Sequence, residues 1–477
     1  MTTTAPAAQA ASRGALKRNL GLWAIVGLGL GYMTPTVVFD TFGIVAQETN
    51  NVVPLAYLIA LIVMMFTAIS YGKIAGAIPS AGSDYTYVRE SIHPNLGFMV
   101  GWTSLIDYIL LPMVNALIIR NYLEQLFPGI WPGVWVIAYV ILTTTVITIT
   151  MRGTSNLNMV LLVFAIVVMV VFVVLVWLQL ARGEGAGTVV SLAPFGHDGV
   201  AFSAVLAGAT VVCFSFIGFD AVTMYAEEAK TPKIMPRAIL LTVVLGGAIF
   251  LIAGYFTQLR FPDYTEFNDA SLTDSALTQI GEVVGGRPFQ AVLTAAGFCA
   301  TLASGLASHA SVARMLLVMG RNNVLPKKFF GYIHTRTHTP ALNIVLVGLI
   351  CLLAMAFDLD TIAAFINFGA LIAFTFVNLS VIAWFAIRKG RRHTAKDVFN
   401  YIVMPGIGML LTGLLWVNLD GLALTGGLIW TVLGIIYLLV LTRGFRRPVA
   451  GFDENQSVTG FNKVPDLDAD ADTNVPQ

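Results

Sequence analysis

Three aspartates lie within apolar runs: Asp40 in VFDTFGIV, Asp107 in SLIDYIL and Asp220 in FIGFDAV. A carboxylate removed from water is costly unless a positive charge or several hydrogen-bond donors meet it. Acids in such surroundings are candidates to hold a cation. Aromatic residues accompany them at Tyr32, Trp102, Tyr108, Phe216 and Phe219. A ring face attracts an ammonium by roughly 0.5–2 kcal/mol. A short aliphatic dication needs an acceptor at each end and apolar walls between. Asp40 or Asp220 could serve one end and Asp107 the other.

Each of these residues also has a purely structural reading. Asp40 and Asp220 could be helix N-caps or partners of nearby hydroxyls. Asp107 could pair with a polar group across a helix bundle, and Phe216 and Phe219 could be packing alone. Glu227 and Glu228 stand close to Lys230 and Lys233, and read as an inner gate or as salt bridges rather than as ligands. His309, in SGLASHASVAR, is a candidate for proton coupling because an unperturbed imidazole titrates near ~6.5. A hydrogen-bonded structural histidine is the simpler reading. Ser304, Ser308 and Ser311 are small hydroxyls along one helix face, which close helix packing explains. Ser308 remains a coupling candidate, with a sodium site as the alternative. Cys213, Cys299 and Cys351 have no metal-like spacing and read as inert buried thiols. No metal and no cofactor is expected.

The elements that must position these residues follow from composition. Of 477 residues, 57% are hydrophobic and only 11% are charged. A soluble protein carries roughly 25% charged residues, so the surface must face lipid. Apolar runs predict helices over 22–48, 53–76, 95–126, 133–151, 157–180, 201–228, 234–259, 288–317, 341–357, 360–387, 399–417 and 421–442. Continuous runs exclude the alternating pattern of a membrane barrel. The expected fold is an all-α integral membrane protein of about twelve spans. Eleven is the competing count, because the ninth and tenth runs are close together.

Two spans contain breaks. In GLGLGYMTPTVVFD (27–40) three glycines weaken the helix and Pro35 removes a backbone donor. Tyr32 and Thr36 flank that break. In CFSFIGFDA (213–221) Gly218 is the weak point. Asp40 and Asp220 would occupy the first turn after each break, where a positive helix terminus favours a carboxylate. Broken helices at corresponding places in two halves point to a binding site. Phe39-Asp40 precedes Ala46-Gln47-Glu48 as Phe219-Asp220 precedes Ala226-Glu227-Glu228, with an offset of 180 throughout. That fits five-helix inverted repeats.

Sidedness follows from basic residues. With the N-terminus inside, all 27 Lys and Arg except Arg120, Arg182, Arg260 and Arg287 fall on the cytoplasmic side. The expected organisation is a cytoplasmic N-terminal tail over 1–19, one membrane domain over 20–447, and an acidic disordered tail over 448–477. Within the domain, repeat one covers about 20–181 and repeat two about 200–388, followed by helices 11 and 12 at about 399–443. The first residues lack the apolar core of a cleavable signal peptide and are expected to remain attached.

The stretches VFDTFGIV, FTAISYGK, AGSDYTY, GFMVGW, GATVVCFSFIGFDAVT, TLASGLASHASVARMLLVMGRNNVLP, TPALN and INFGALIAFTFVNLS resemble the amino acid–polyamine–organocation superfamily, and within it the bacterial putrescine importers. The likeness runs over about 16–447. It implies a leucine-transporter-like fold of two inverted five-helix repeats plus two helices. It also implies a site between the first and sixth spans, lined by the third, eighth and tenth. The implied function is secondary active import of putrescine or a similar diamine across the bacterial cytoplasmic membrane, proton-linked or potential-driven. Both termini would be cytoplasmic. Many amino-acid carriers of the superfamily have a Gly-Ser-Gly-like turn at the first break, whose amides hold a carboxylate. Here Thr34-Pro35-Thr36 stands instead, and Pro35 has no amide hydrogen.

The alternatives are a permease or exchanger for a cationic or neutral amino acid, a channel or nutrient sensor, and a membrane enzyme. Against the last, there is no Gly-rich phosphate loop, no HExxH and no His/Cys metal cluster in the sequence. His334 and His338 lie in a basic inner loop and read as solvated. The expected partners are a small cationic amine, a coupling proton and the lipid bilayer, with no nucleic acid.

Overall fold

The computed structural model describes residues 20–78, 83–149, 154–226, 229–231, 233–263, 265, 276–321, 324–334, 337 and 339–446. Both expected tails lie outside this set, as do Glu227, Glu228 and His338. Among the described residues the elements are helices, and no strand is present.

The first span is built from α1 (Leu22–Tyr32), α2 (Val37–Asp40) and α3 (Phe42–Thr49). α4 (Val53–Ala77) is the second span, and α5 (Ser83–Ser91) is a short connecting helix. α6 (Pro94–Leu126), α7 (Gly133–Ile149) and α8 (Thr154–Ala181) follow. α9 (Phe202–Phe216) and a 3₁₀ turn at Ala221–Tyr225 form the sixth span. Then come α10 (Ile234–Arg260) and α11 (Ala276–Arg321), the latter bent at Gly285 and Gly286. Residues 276–284 are thus a helical connection leading into the eighth span. α12 (Ala341–Cys351), α13 (Leu359–Val381), α14 (Met404–Val417) and α15 (Gly421–Thr442) complete the chain. Ten stretches among the described residues are long and apolar enough to cross a membrane, and Gly133–Ile149 and Ala341–Met355 are shorter apolar helices. Together they match the twelve predicted runs.

Local chemistry sets the helix starts. Pro94 opens α6, and the preceding His93 ring accepts the Asn95 N–H at 3.2 Å. The Asp358 carboxylate accepts the Thr361 N–H at 2.7 Å at the start of α13, and Asp420 does the same for Leu422 at 2.8 Å on α15.

The exterior is apolar. Val160, Val163, Val167, Val170 and Val174 recur at helical spacing along α8, and each is at least 50% exposed. Such a stripe facing outward is the reverse of a soluble helix and suits lipid. The buried centre is formed by the first, third, sixth, eighth and tenth spans. The first span packs on the 3₁₀ turn of the sixth, α4 on α10, α6 on α11, and α7 on α12. These are the pairs that a two-fold axis relating two five-helix halves brings into contact.

The first break differs in detail from expectation. Gly27, Gly29 and Gly31 do not interrupt the helix; they lie within α1. Their missing side chains let neighbours approach: a Cβ on Gly29 would stand 2.5 Å from Val222, and one on Gly31 would stand 2.9 Å from Asn158. The interruption falls at Thr34, whose φ is +51°. Pro35 follows directly, and a proline disfavours the right-handed helical region for the residue before it.

Candidate functional site

α6 organises the site. Ser104, Asp107 and Tyr108 are three and four residues apart and share one helix face. Two of them donate to a buried acid and the third is one. The Tyr108 hydroxyl donates to Asp220 Oδ2 at 2.9 Å. The Ser104 hydroxyl donates to Oδ2 of Asp84, the second residue of α5. Asp107 is the third acid. All three are at most 5% exposed. Asp107 lies in the repulsive field of both Asp220 and Asp84.

These acids are unequally satisfied. Asp220 Oδ1 accepts the Gly218 N–H at 3.1 Å, so both of its oxygens are engaged. Oδ1 of Asp107 and Oδ1 of Asp84 are buried with no hydrogen-bond partner in the protein. Among the described residues none of the three belongs to an ion pair. Nor does any group of three or more acids, histidines or cysteines among them come close enough to hold a metal ion. Burial pushes the Asp84 carboxyl on its connecting helix up to about 6; the Ser104 hydroxyl opposes this and Asp220 adds to it. Pro112 lies inside α6 and leaves the Tyr108 carbonyl without its helical amide donor, one more acceptor on the third span.

Aromatic rings wall the cluster. Tyr71 of α4 meets Phe219 and Phe374 edge-on, at centroid distances of 5.6 and 5.9 Å. Tyr71 feels the charges of Asp84, Asp220 and Asp107, and Tyr32 those of Asp220 and Asp107. α13 approaches through Gly369, where a Cβ would stand 2.7 Å from the Thr103 carbonyl and 3.2 Å from the Asp107 Cβ.

The two breaks meet at Gly218. Its φ is +116°, and a Cβ there would stand 2.5 Å from the Tyr32 ring. The Tyr32 carbonyl, orphaned by the break, accepts from Ser304 of α11 at 2.9 Å. The cavity between them, lined by Tyr32, Thr34, Asn115, Ile217 and Ser304 among others, holds only about 10 Å³. That is room for one water. A wider cleft of about 390 Å³ between α6, α13, α14 and α15 is lined by apolar residues such as Met99, Ile372 and Trp416, without a carboxylate.

Asp40 lies apart. Its Oδ1 accepts from Tyr122 at 2.7 Å and its Oδ2 has no partner. Tyr122 follows Tyr108 by 14 residues on α6, about 21 Å of helix at 1.5 Å per residue. Thr36 is buried beside the first break, at the start of α2. Phe216 packs edge-on against Phe250 of α10 at 5.4 Å. Trp102 stacks on Trp430 of α15 at 4.9 Å, and each indole N–H donates to the other's carbonyl. It staples two spans and does not line the acids. His309 donates to the Ile344 carbonyl of α12 at 2.8 Å, and Ser308 donates to Gly305 in its own helix at 3.2 Å.

Sequence reasoning passed over Asp84, Tyr71, Tyr122 and Gly369, and read Ser304 as a packing residue with a sodium site as the alternative. An aspartate in a polar connection is unremarkable until its burial is known. Tyrosines in apolar spans carry no signal until their hydroxyl partners are seen.

Residues 25–443 match the amino acid permease family. The chain belongs to that family. It is 47% identical over 444 residues to the low-affinity putrescine importer PlaP of Escherichia coli K12, covering 93% of this chain and 98% of that protein. It is 25% identical to the mouse cationic amino acid transporter 4, over 76% of this chain and 58% of that one. The branched-chain amino acid permease BcaP of Bacillus subtilis is 23% identical, over 90% and 94% of the two chains.

Proposed function

We propose that this chain is a secondary carrier that imports putrescine or a similar small diamine across the bacterial cytoplasmic membrane by alternating access. The observation that carries this reading is a group of buried carboxylates, of which Asp84 and Asp107 each keep an oxygen without a protein hydrogen bond, and none of which belongs to an ion pair among the described residues. Asp107 and Asp220 take one ammonium. Asp40, on α2 and held by Tyr122 farther along α6, is an acid separate from this group. Near-full-length identity of 47% to a putrescine importer supports the same substrate class.

The backbone at both breaks argues against an α-amino acid. Pro35 has no amide hydrogen, the Val37 amide is spent on the Thr34 carbonyl at 2.9 Å, and the Gly218 amide is spent on Asp220. Few amides are left there to hold a substrate carboxylate. The cavity between the breaks, about 10 Å³, admits no diamine, so a substrate passing there requires the first and sixth spans to separate. That requirement is what alternating access supplies. The distribution of basic residues supports a cytoplasmic position for both ends of the membrane domain. Each positive charge entering gains about 2.3 kcal/mol per 100 mV, so a dication accumulates with an inside-negative potential; a proton is a candidate co-substrate.

Uptake of labelled putrescine into proteoliposomes tests this, with pH, sodium and voltage gradients imposed separately. Inside-negative voltage should raise saturable uptake, and unlabelled diamines should compete where amino acids do not. Competition by lysine or neutral amino acids, with diamines inert, would instead make the chain an amino-acid permease.

A further inference from the structure

We propose that Asp84 receives the second ammonium of the substrate, so that the site measures the separation of two charges against about one turn of α6. This rests on the diamine reading above. Asp84 comes from α5, a connecting helix, and its side chain is only 2% exposed. The Tyr85 and Asp84 amides lie near enough to favour its carboxylate, yet its Oδ1 makes no hydrogen bond of full geometry in the protein, and neither does Oδ1 of Asp107. The two acids are therefore open at the same time.

Their spacing follows from α6. Asp84 is held by Ser104, and Ser104 precedes Asp107 by three residues on one face of α6, a rise of about 4.5 Å between their backbone positions. A four-carbon diamine separates its nitrogens by about 6 Å, for five extended bonds of ~1.5 Å. The three acids do not converge as a set of metal ligands would, and Asp107 lies in the repulsive field of Asp84 and Asp220. That combination suits an extended dication and not a point charge. Tyr71, in the field of all three acids and packed edge-on to Phe219 and Phe374, supplies an apolar wall for the methylenes.

The support given to Asp84 is incomplete. The Ser104 hydroxyl has one proton and two acceptors within reach, Asp84 Oδ2 and the Val100 carbonyl at 2.8 Å. An ammonium with three donors completes what that hydroxyl leaves undone.

The test compares 1,4-diaminobutane with n-butylamine, which has the same chain and one charge. Competition for labelled putrescine is measured on the full-length protein in proteoliposomes, for wild type, Asp84→Asn and Asp84→Glu. Asp84→Asn should erase at least about tenfold of the preference for the diamine, with n-butylamine affinity nearly unchanged. Asp84→Glu reaches one methylene further into the site, so it should shift the optimum toward 1,3-diaminopropane. An unchanged diamine-to-monoamine ratio in Asp84→Asn would overturn the assignment, as would equal loss of both ligands. If Asp84→Asn does not fold, the chain-length optimum of Asp84→Glu decides: an unshifted optimum rejects the proposal. Wild-type protein that ignores diamines altogether would instead remove the underlying functional reading.

Discussion

Asp220 and Asp107 differ in what their neighbours leave undone. Asp220 accepts from Tyr108 and from the Gly218 amide, so its needs are met within the protein. Asp107 has an oxygen with no donor. Asp107→Asn should therefore raise the half-saturation concentration for putrescine at least about tenfold, with little change in thermal unfolding. Asp220→Asn should reduce both transport and stability, because it unsettles a buried hydroxyl and an amide. Uptake kinetics and detergent-solubilised melting curves separate the two. Asp84 adds a pH dependence. Its carboxyl is pushed up to about 6 by burial, above the usual carboxylate range, and only the ionised form holds an ammonium. It faces Asp107 on α6, Asp220 on the sixth span and Tyr71 on α4. Preference for diamine over monoamine should therefore rise as pH increases from 5 to 7, and Asp84→Asn should flatten that rise. Asp107 and Asp220 could be picked from sequence because charges within apolar runs are rare. Asp84 could not, since its neighbours in the chain are polar.

At the level of elements, glycines that look alike in sequence do different work. Gly29 lies in a continuous helix and lets the sixth span approach; Gly218 occupies a left-handed turn against Tyr32. Gly218→Ala meets both backbone strain and a ring contact at 2.5 Å. It should abolish putrescine uptake, because the two breaks can no longer cross at that point. Gly29→Ala crowds side chains only, and should cost stability by about 1–3 kcal/mol while leaving measurable uptake in the surviving fraction. Labelled uptake normalised to folded protein distinguishes the cases. The breaks themselves were legible from Pro35 and Gly218, and both are observed near the predicted residues. Their partners were not, because Ser304 reaches the Tyr32 carbonyl from 272 residues away in sequence. Trp102 illustrates the same limit: its ring, a candidate wall of the site by type, is committed to Trp430 instead.

For the molecule as a whole, the outward valine stripe of α8 is the mark of a lipid-facing surface. Val167→Lys, at the middle of that stripe and 54% exposed, should lower the yield of folded protein in membranes. A lysine at a helix centre costs about 2.5–3.5 kcal/mol there. The same change on the surface of a soluble helix would be nearly silent, so fluorescence-detected size exclusion of the two kinds of variant checks the assignment. Closure matters at this scale too. With about 10 Å³ between the breaks, the first and sixth spans must part before a substrate passes between them.

The sequence by itself settled the helical, lipid-facing class, the succession of spans and the places where two of them break. These depend on apolar run length, on charge placement and on proline and glycine, all of which act locally along the chain. Only the tertiary structure decided which side chains hold which acids. The tyrosine that holds Asp40 is about 21 Å along α6 from the one that holds Asp220, while Ser104 and Tyr108, on one helix face, hold Asp84 and Asp220. The fields of buried carboxylates act across helices, and side-chain proximity between spans leaves no periodic trace in the chain.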